Sequence, residues 1–347
     1  MNFIKTFLFL FFLISCTSVN AHGGHGGDGT CETESPHEYD KGLHIAAVFI
    51  ILACSALGAI IPILSTNFKM FRIPDYCIAV GKAVGLGVVL SCALIHMLLP
   101  AVESLSSDCL PEDFVESYEA YAYLFCMLAI IAMQFIDFAF MEYLTYSENK
   151  RATLKGETSL KDIDEKRAEC HGHVHSTMLM DPAALKTIEA YLLEFGISVH
   201  SVMVGLTVGV ADNHTLKALL VALSFHQFFE GVALGSRIAD AKLKTHWHEA
   251  LLTTIFSVSA PIGIAVGISV YQSLNVNGSD FLLVSGVLEA VCAGILLYIA
   301  GSLLFKDFPV DLDKHCSGKK YSFLLKLGLF AGFWVGSGAM AILGKWV

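Results

Sequence analysis

Long apolar runs broken by short polar loops set the pattern of this chain. Eight runs are each long enough to cross a hydrocarbon core of roughly 30 Å. They lie at about Leu43–Leu64, Cys77–Ala101, Tyr121–Met141, Ala190–Val210, Leu216–Ser236, Ala250–Gln272, Phe281–Phe305 and Ser322–Gly344. Lipid offers no partner to a backbone amide, so each run is predicted to be a helix. A shorter run, Phe7–Ile14, follows Lys5 and precedes the small residues Val19 and Ala21. This reads as an export leader cut after Ala21, with a first span as the alternative. Leu13-Ile14-Ser15-Cys16 also resembles a bacterial lipoprotein site, which fits poorly with so many later spans. The expected fold class is an all-α integral membrane protein, eight transmembrane helices after a cleaved signal peptide. Its expected parts are the leader 1–21, an outer His/Gly segment 22–42, helices 1–3 over 43–144, a cytosolic loop 145–189 and helices 4–8 over 190–347.

Composition agrees with that reading. Of 347 residues, 55% are hydrophobic and 16% charged, and mean hydropathy is +0.63. A soluble enzyme would carry roughly 25% charge. The net charge of −10 gives a nucleic-acid partner no electrostatic support. Loops 1–2, 3–4, 5–6 and 7–8 carry most of the Lys and Arg, whereas the opposite side holds Lys41, Lys217 and Lys345. Basic loops stay in the cytosol, so both mature termini are expected outside. Cys31 and Cys109 then fall in outer segments and are candidates for pairing; two free thiols are the alternative.

Several loops carry chemistry. The outer segment has His22 and His25 among glycines and is expected to be flexible. Loop 2–3 holds Glu103, Asp108, Glu112, Asp113, Glu116 and Glu119 without a Lys or Arg. Such a face concentrates cations, or is simply a solvated loop. Loop 3–4, expected to be mostly disordered, contains His171, His173 and His175, whose alternating imidazoles can chelate a divalent ion weakly.

Ionisable residues at bilayer depth are costly and point to function. His226 and Glu230 are four apart in helix 5, on one face. With His200 of helix 4 they make an N/N/O set suited to Zn²⁺, Fe²⁺ or Mn²⁺; a plain His–Glu packing bond is the alternative. Gly205, Gly209, Gly231 and Gly235 are spaced for close helix approach. Pro261 either frees a carbonyl for a passing cation or only kinks helix 6. His96 and Glu103, at the outer end of helix 2, suit an entrance step, and His96 is otherwise an interfacial histidine. Glu194, taken as one to two turns outside His200, is placed on the same path or in a helix contact. His246 and His248 flank Trp247 as candidate exit ligands. Lys82 is expected to snorkel. Asp137 and Glu289 have no obvious partner and are left to proton coupling or helix bonding.

These residues resemble the ZIP (Zrt/Irt-like) family of divalent-metal transporters, in its plant, fungal and protist branch. The resemblance rests on the string from Leu193-Glu194 to His200-Ser201-Val202 and on Ser224-Phe225-His226-Gln227-Phe228-Phe229-Glu230-Gly231. It extends to Leu57–Pro62, His96–Pro100, Ala293–Tyr298 and Lys345-Trp346. The resemblance implies uptake of Zn²⁺ or Fe²⁺ (Mn²⁺ and Cd²⁺ being further candidates), with no cofactor beyond the transported ion. It also implies a homodimer in the plasma membrane or an internal one, helices 1, 4, 5 and 6 moving against 2, 3, 7 and 8, and a metal site on His200, His226 and Glu230. Many members have His-Asn-x-x-Glu in helix 4, where this chain has His200-Ser201-Val202-Met203-Val204. Gln227 stands where they have Asp or Asn, and Ala260 where they have Glu. One intramembrane ion is therefore expected rather than two, with Ser201 and Gln227 as weak or water-mediated contacts. Neutral imidazole is the ligand form, so acid should weaken binding.

Competing readings remain at this point. An intramembrane metalloprotease would need H-E-x-x-H on one helix, which helix 5 lacks. His200 and His226 could instead be haem ligands, or the chain could be a metal sensor without transport.

Overall fold

A computed structural model describes residue 31 and residues 39–67, 73–155, 182–241, 243 and 245–345. The leader, His22, His25, and His171, His173 and His175 lie outside the described residues. Among the described residues there are helices and no strand. Eight long helices follow the eight apolar runs: α1 (Lys41–Asn67), α2 (Asp75–Leu105), α3 (Tyr121–Lys155), α4 (Pro182–Val210), α5 (Asn213–Ala241), α6 (His246–Val270), α7 (Ser279–Cys316) and α8 (Ser322–Leu343). A short helix, Glu112–Ser117, lies between α2 and α3.

The helices outrun their apolar windows. α3 continues to Lys155 and α4 begins at Pro182, so both margins of the expected 145–189 loop are helical. α7 likewise carries Lys306 and Lys314, which sequence placed in a loop. Good helix formers such as Leu, Lys and Ala extend a helix past the point where lipid demands one. Two helices contain a π segment, Cys92–Leu98 in α2 and Leu303–Asp307 in α7. Pro261 is buried within α6, which stays helical on both sides of it.

Burial is reversed relative to a water-soluble protein. Phe135 of α3 and Phe323 and Trp334 of α8 are turned outward, while His200, His226, Gln227 and Glu230 are almost wholly enclosed. Lipid solvates the apolar exterior; polar groups must find partners within the bundle.

Glycines let the helices pair backbone to backbone. A Cβ on Gly205 of α4 would meet the Ala260 carbonyl of α6, and one on Gly235 of α5 would meet the Ala59 carbonyl of α1. Gly336 of α8 meets Val84 of α2 in the same way, and Gly294 of α7 meets Cys126 of α3. The pairs α4/α6 and α1/α5 form one half of the bundle, α2/α8 and α3/α7 the other. Such contacts rest on van der Waals packing, since lipid supplies no hydrophobic drive between helices.

The two ends of the bundle differ. At one, the acidic end, Cys31 and Cys109 form a disulfide with Cα atoms 5.4 Å apart, and Asn275 donates to the Cys31 carbonyl at 2.7 Å. Tyr39 is stacked between His44 and Tyr271 there, and burial holds its phenol up at about 12. Asp212 accepts from the His214 and Thr215 amides at 2.8 and 3.0 Å and caps α5. At the other, the basic end, Lys82 does not snorkel. It pairs with Asp240 at 2.5 Å and Asp311 at 3.3 Å.

Candidate metal centre

Four buried side chains converge at the middle of the bundle: Cys92 from α2, His200 from α4, and His226 and Glu230 from α5. Each offers a ligand atom, and these atoms lie within 4.8 Å of one another. The α5 pair is set by helix geometry, because residues four apart share a face. His226 Nε2 stands 3.1 Å from Glu230 Oε1. Neither nitrogen of His226 has an aligned hydrogen-bond partner, and neither does Glu230 Oε2. Two groups this close but not bonded to each other are placed to share a third atom. His200 completes the set from the neighbouring helix, its ring centroid 5.7 Å from that of His226.

The shell outside these ligands fixes them. His200 Nδ1 lies 3.0 Å from Glu289 Oε2 of α7. A carboxylate only accepts, so Nδ1 carries the proton. His200 Nε2 is left as a lone pair, buried and unpartnered. This is how metal-binding imidazoles are commonly oriented. Glu289, for which sequence offered no partner, thus acts on His200. Asp137 is also accounted for, since Tyr298 of α7 donates to it and joins α3 to α7.

His96 sits beside the group, one turn beyond Cys92. Its ring meets His226 edge-on at 4.7 Å. Its Nε2 donates to the Met340 carbonyl at 2.8 Å, leaving Nδ1 buried without a partner. Toward the acidic end, Glu103 is exposed in the last turn of α2. Ser201 and Gln227 are brought next to the ligands but stay out of the convergent group. Ser201 donates to Gln227 Oε1 at 3.4 Å, and Gln227 Nε2 donates to Ser55 at 3.2 Å. The Gln227 amide is thereby spent on neutral bonds linking α4, α5 and α1.

Glu194 needs a correction. α4 begins at the basic end, so a residue six positions before His200 lies on that side and not toward the acidic end. Ser198 donates to its Oε1 at 2.6 Å, while Oε2 is buried without a partner. His246 pairs with Glu249 at 3.0 Å and His248 with the Tyr191 hydroxyl at 2.6 Å. These exit candidates are thus already engaged by neighbours.

Below the ligands the basic end is closed by charge. A cavity of about 40 Å³ is lined by Val89, Leu193, Lys82, Arg237, Asp240 and Asp307 among others. A wider hollow of about 470 Å³ beyond it shares Lys82 and Asp240, so that ion pair stands between the two. Arg237 is ion-paired with Glu189 and, at 2.5 Å, with Asp307. Ser302 donates to Glu189 at 2.6 Å.

Sequence reasoning missed Cys92 as a member of the group. A signal existed, because it lies four residues before His96 in the same helix.

The chain is similar to known metal transporters. The family profile described as ZIP Zinc transporter matches residues 41–344. The chain is 32% identical to "Zinc transporter 3" of Arabidopsis thaliana over 353 residues, covering 98% of this chain and 97% of that protein. It is 26% identical to "Zinc-regulated transporter 2" of Saccharomyces cerevisiae, covering 91% and 97%. Its identity to "Fe(2+) transport protein 3, chloroplastic" of Arabidopsis thaliana is 27%, covering 88% and 85%. A family match spanning all eight helices places the chain in the ZIP family of divalent-metal transporters.

Proposed function

We propose that this transporter carries Zn²⁺ from the acidic end of the bundle into the cytosol through one ion site made by His200, His226 and Glu230. The observation that carries the reading is the convergence of these buried groups with ligand atoms left unpartnered. Direction is supported by the Lys and Arg bias of the loops. The Cys31–Cys109 disulfide supports it too, because such bonds persist in oxidising compartments. A single ion is supported by Ser201 and Gln227, which bond to each other where a second ion would need carboxylates. The ion approaches past the acidic loop and His96, sheds water stepwise and is bound. It leaves when the Lys82–Asp240 and Arg237 pairs part, and the loop histidines His171, His173 and His175 receive it. An export leader in residues 1–21 routes the protein, as a homodimer, to the plasma membrane.

Iron is the second substrate reading, favoured by the relative named as an Fe(2+) transporter and by a ligand set that also suits Fe²⁺. Radiolabelled zinc and iron uptake by cells expressing the wild type or His226→Ala tests both. Loss of uptake in the variant is expected, and the preferred metal is the one taken up at the lower concentration. Equal uptake by wild type and variant refutes the site.

A further inference from the structure

We infer that Cys92 is a fourth ligand to the transported ion, that it biases the site toward soft, thiophilic cations such as Zn²⁺ and Cd²⁺ over Mn²⁺ and Fe²⁺, and that it ties the ion to the α2 half of the bundle. This rests on the ion site proposed above.

Three observations carry it. The Cys92 thiol is about 1% exposed and donates to Glu230 Oε1 at 3.0 Å. Its sulfur is therefore within reach of the same carboxylate oxygen that stands 3.1 Å from His226 Nε2. Its sulfur also belongs to the group of four potential ligand atoms gathered within 4.8 Å. Around it, His200 Nε2, both nitrogens of His226 and Glu230 Oε2 are buried without aligned partners. A cysteine placed only for packing would not need to share its surroundings with so many unsatisfied donor atoms.

The chemistry distinguishes this thiol from the other three ligands. Two imidazoles and a carboxylate discriminate weakly among divalent first-row metals, whereas thiolate favours Zn²⁺ and, more strongly, softer ions. Four ligands of N, N, O and S character also complete the tetrahedral set preferred by zinc. In that closed shell no position is left for a labile water. The location matters as well. His200, His226 and Glu230 all come from the α4 and α5 half, while Cys92 comes from α2 in the other. Cys92 is thus the member of the four that must be surrendered, or replaced, if the halves move past one another.

The test uses full-length protein in nanodiscs and in cells, with Cys92→Ser and Cys92→Ala beside wild type and His226→Ala. In nanodiscs, Cd²⁺ is added and the ultraviolet thiolate-to-cadmium charge-transfer band is followed, the other free cysteines being unchanged in every sample. In cells, uptake of Cd²⁺ and Mn²⁺ is measured from one mixture, so that the ratio is independent of how much protein folds. Loss of the site-dependent band in both Cys92 variants is expected. So is a fall of about tenfold in the Cd²⁺/Mn²⁺ uptake ratio, the lower end of what loss of even an outer-shell partner does to metal affinity. A band and a ratio that persist in both Cys92 variants, with His226→Ala inactive, overturn the thiol ligand and leave the ion site standing. Normal uptake by His226→Ala overturns the ion site and the thiol ligand together.

Discussion

Replacing Glu289 with alanine probes how the site is held without touching any of its ligands. Glu289 is on α7, and its carboxylate fixes the proton of His200 on Nδ1 across 3.0 Å. Without it, Nδ1–H loses its acceptor in a buried place, and the ring can turn or take the other tautomer. A hydrogen bond to a charged group contributes about 1.5–3 kcal/mol, and every 1.4 kcal/mol is tenfold in affinity. The expected rise in the zinc Kd of Glu289→Ala is therefore about 10- to 100-fold, the range found when an outer-shell partner of a metal-bound histidine is removed. Glu289→Gln keeps an acceptor oxygen but not the charge, and should fall between wild type and alanine. Equilibrium zinc titration of purified protein gives the Kd, and the melting temperature of the metal-free protein controls for general damage. If the alanine variant binds zinc within twofold of wild type while His200→Ala does not, the orienting role assigned to Glu289 is wrong.

Two further outcomes follow from the ends of the bundle. Arg237→Met leaves Glu189, 2% exposed, with the Ser302 hydroxyl as its hydrogen-bond donor; stranding one member of a buried ion pair costs about 3–5 kcal/mol. The single variant should melt well below wild type, and adding Glu189→Gln should restore most of the loss, whereas identical melting of single and double variants would contradict the pairing. At the acidic end, Asp212 is partly desolvated, which raises its pKa, but hydrogen bonds from Thr215 and His214 outweigh this and hold it below the usual carboxylate value. A depressed pKa gives stability that is present above the unfolded value, near 3.9, and lost as pH falls through the folded one. Asp212→Ala should therefore lower the melting temperature at neutral pH, by about 1 kcal/mol of cap stability, and the difference from wild type should vanish in strong acid; a gap independent of pH would exclude the cap.

The eight spans and the His226–Glu230 pair were legible because their signals are local. An apolar run declares its own length, and a four-residue spacing declares its own face. His200 needed only the assumption that α4 and α5 are neighbours. What stayed hidden depends on pairings between distant segments. Cys92 meets Glu230 across 138 positions, and His200 meets Glu289 across 89. Lys82 reaches Asp311 across 229, so a lysine near a helix end looked like a lipid-facing one. Hydropathy cannot register these partners, since a charge at bilayer depth reads the same whether paired or not. Glu194 was legible in kind and misplaced in depth, an error of chain direction.

The two π segments also have a consequence for how the bundle is timed. A π-helix bonds i to i+5 and so accommodates one residue more than an α-helix would. At about 100° per residue, that extra residue puts the chain on either side out of phase. Each π segment sits where the α2/α7 half reaches α5: Cys92 meets Glu230 at one, and Asp307 meets Arg237 at the other. The two contacts lie about two turns apart on α5, so they behave like teeth on a single rack. An axial slip of α5 would disengage both contacts in one stroke. Shortening α2 by one residue within 92–98 would restore one phase and leave the teeth unmeshed.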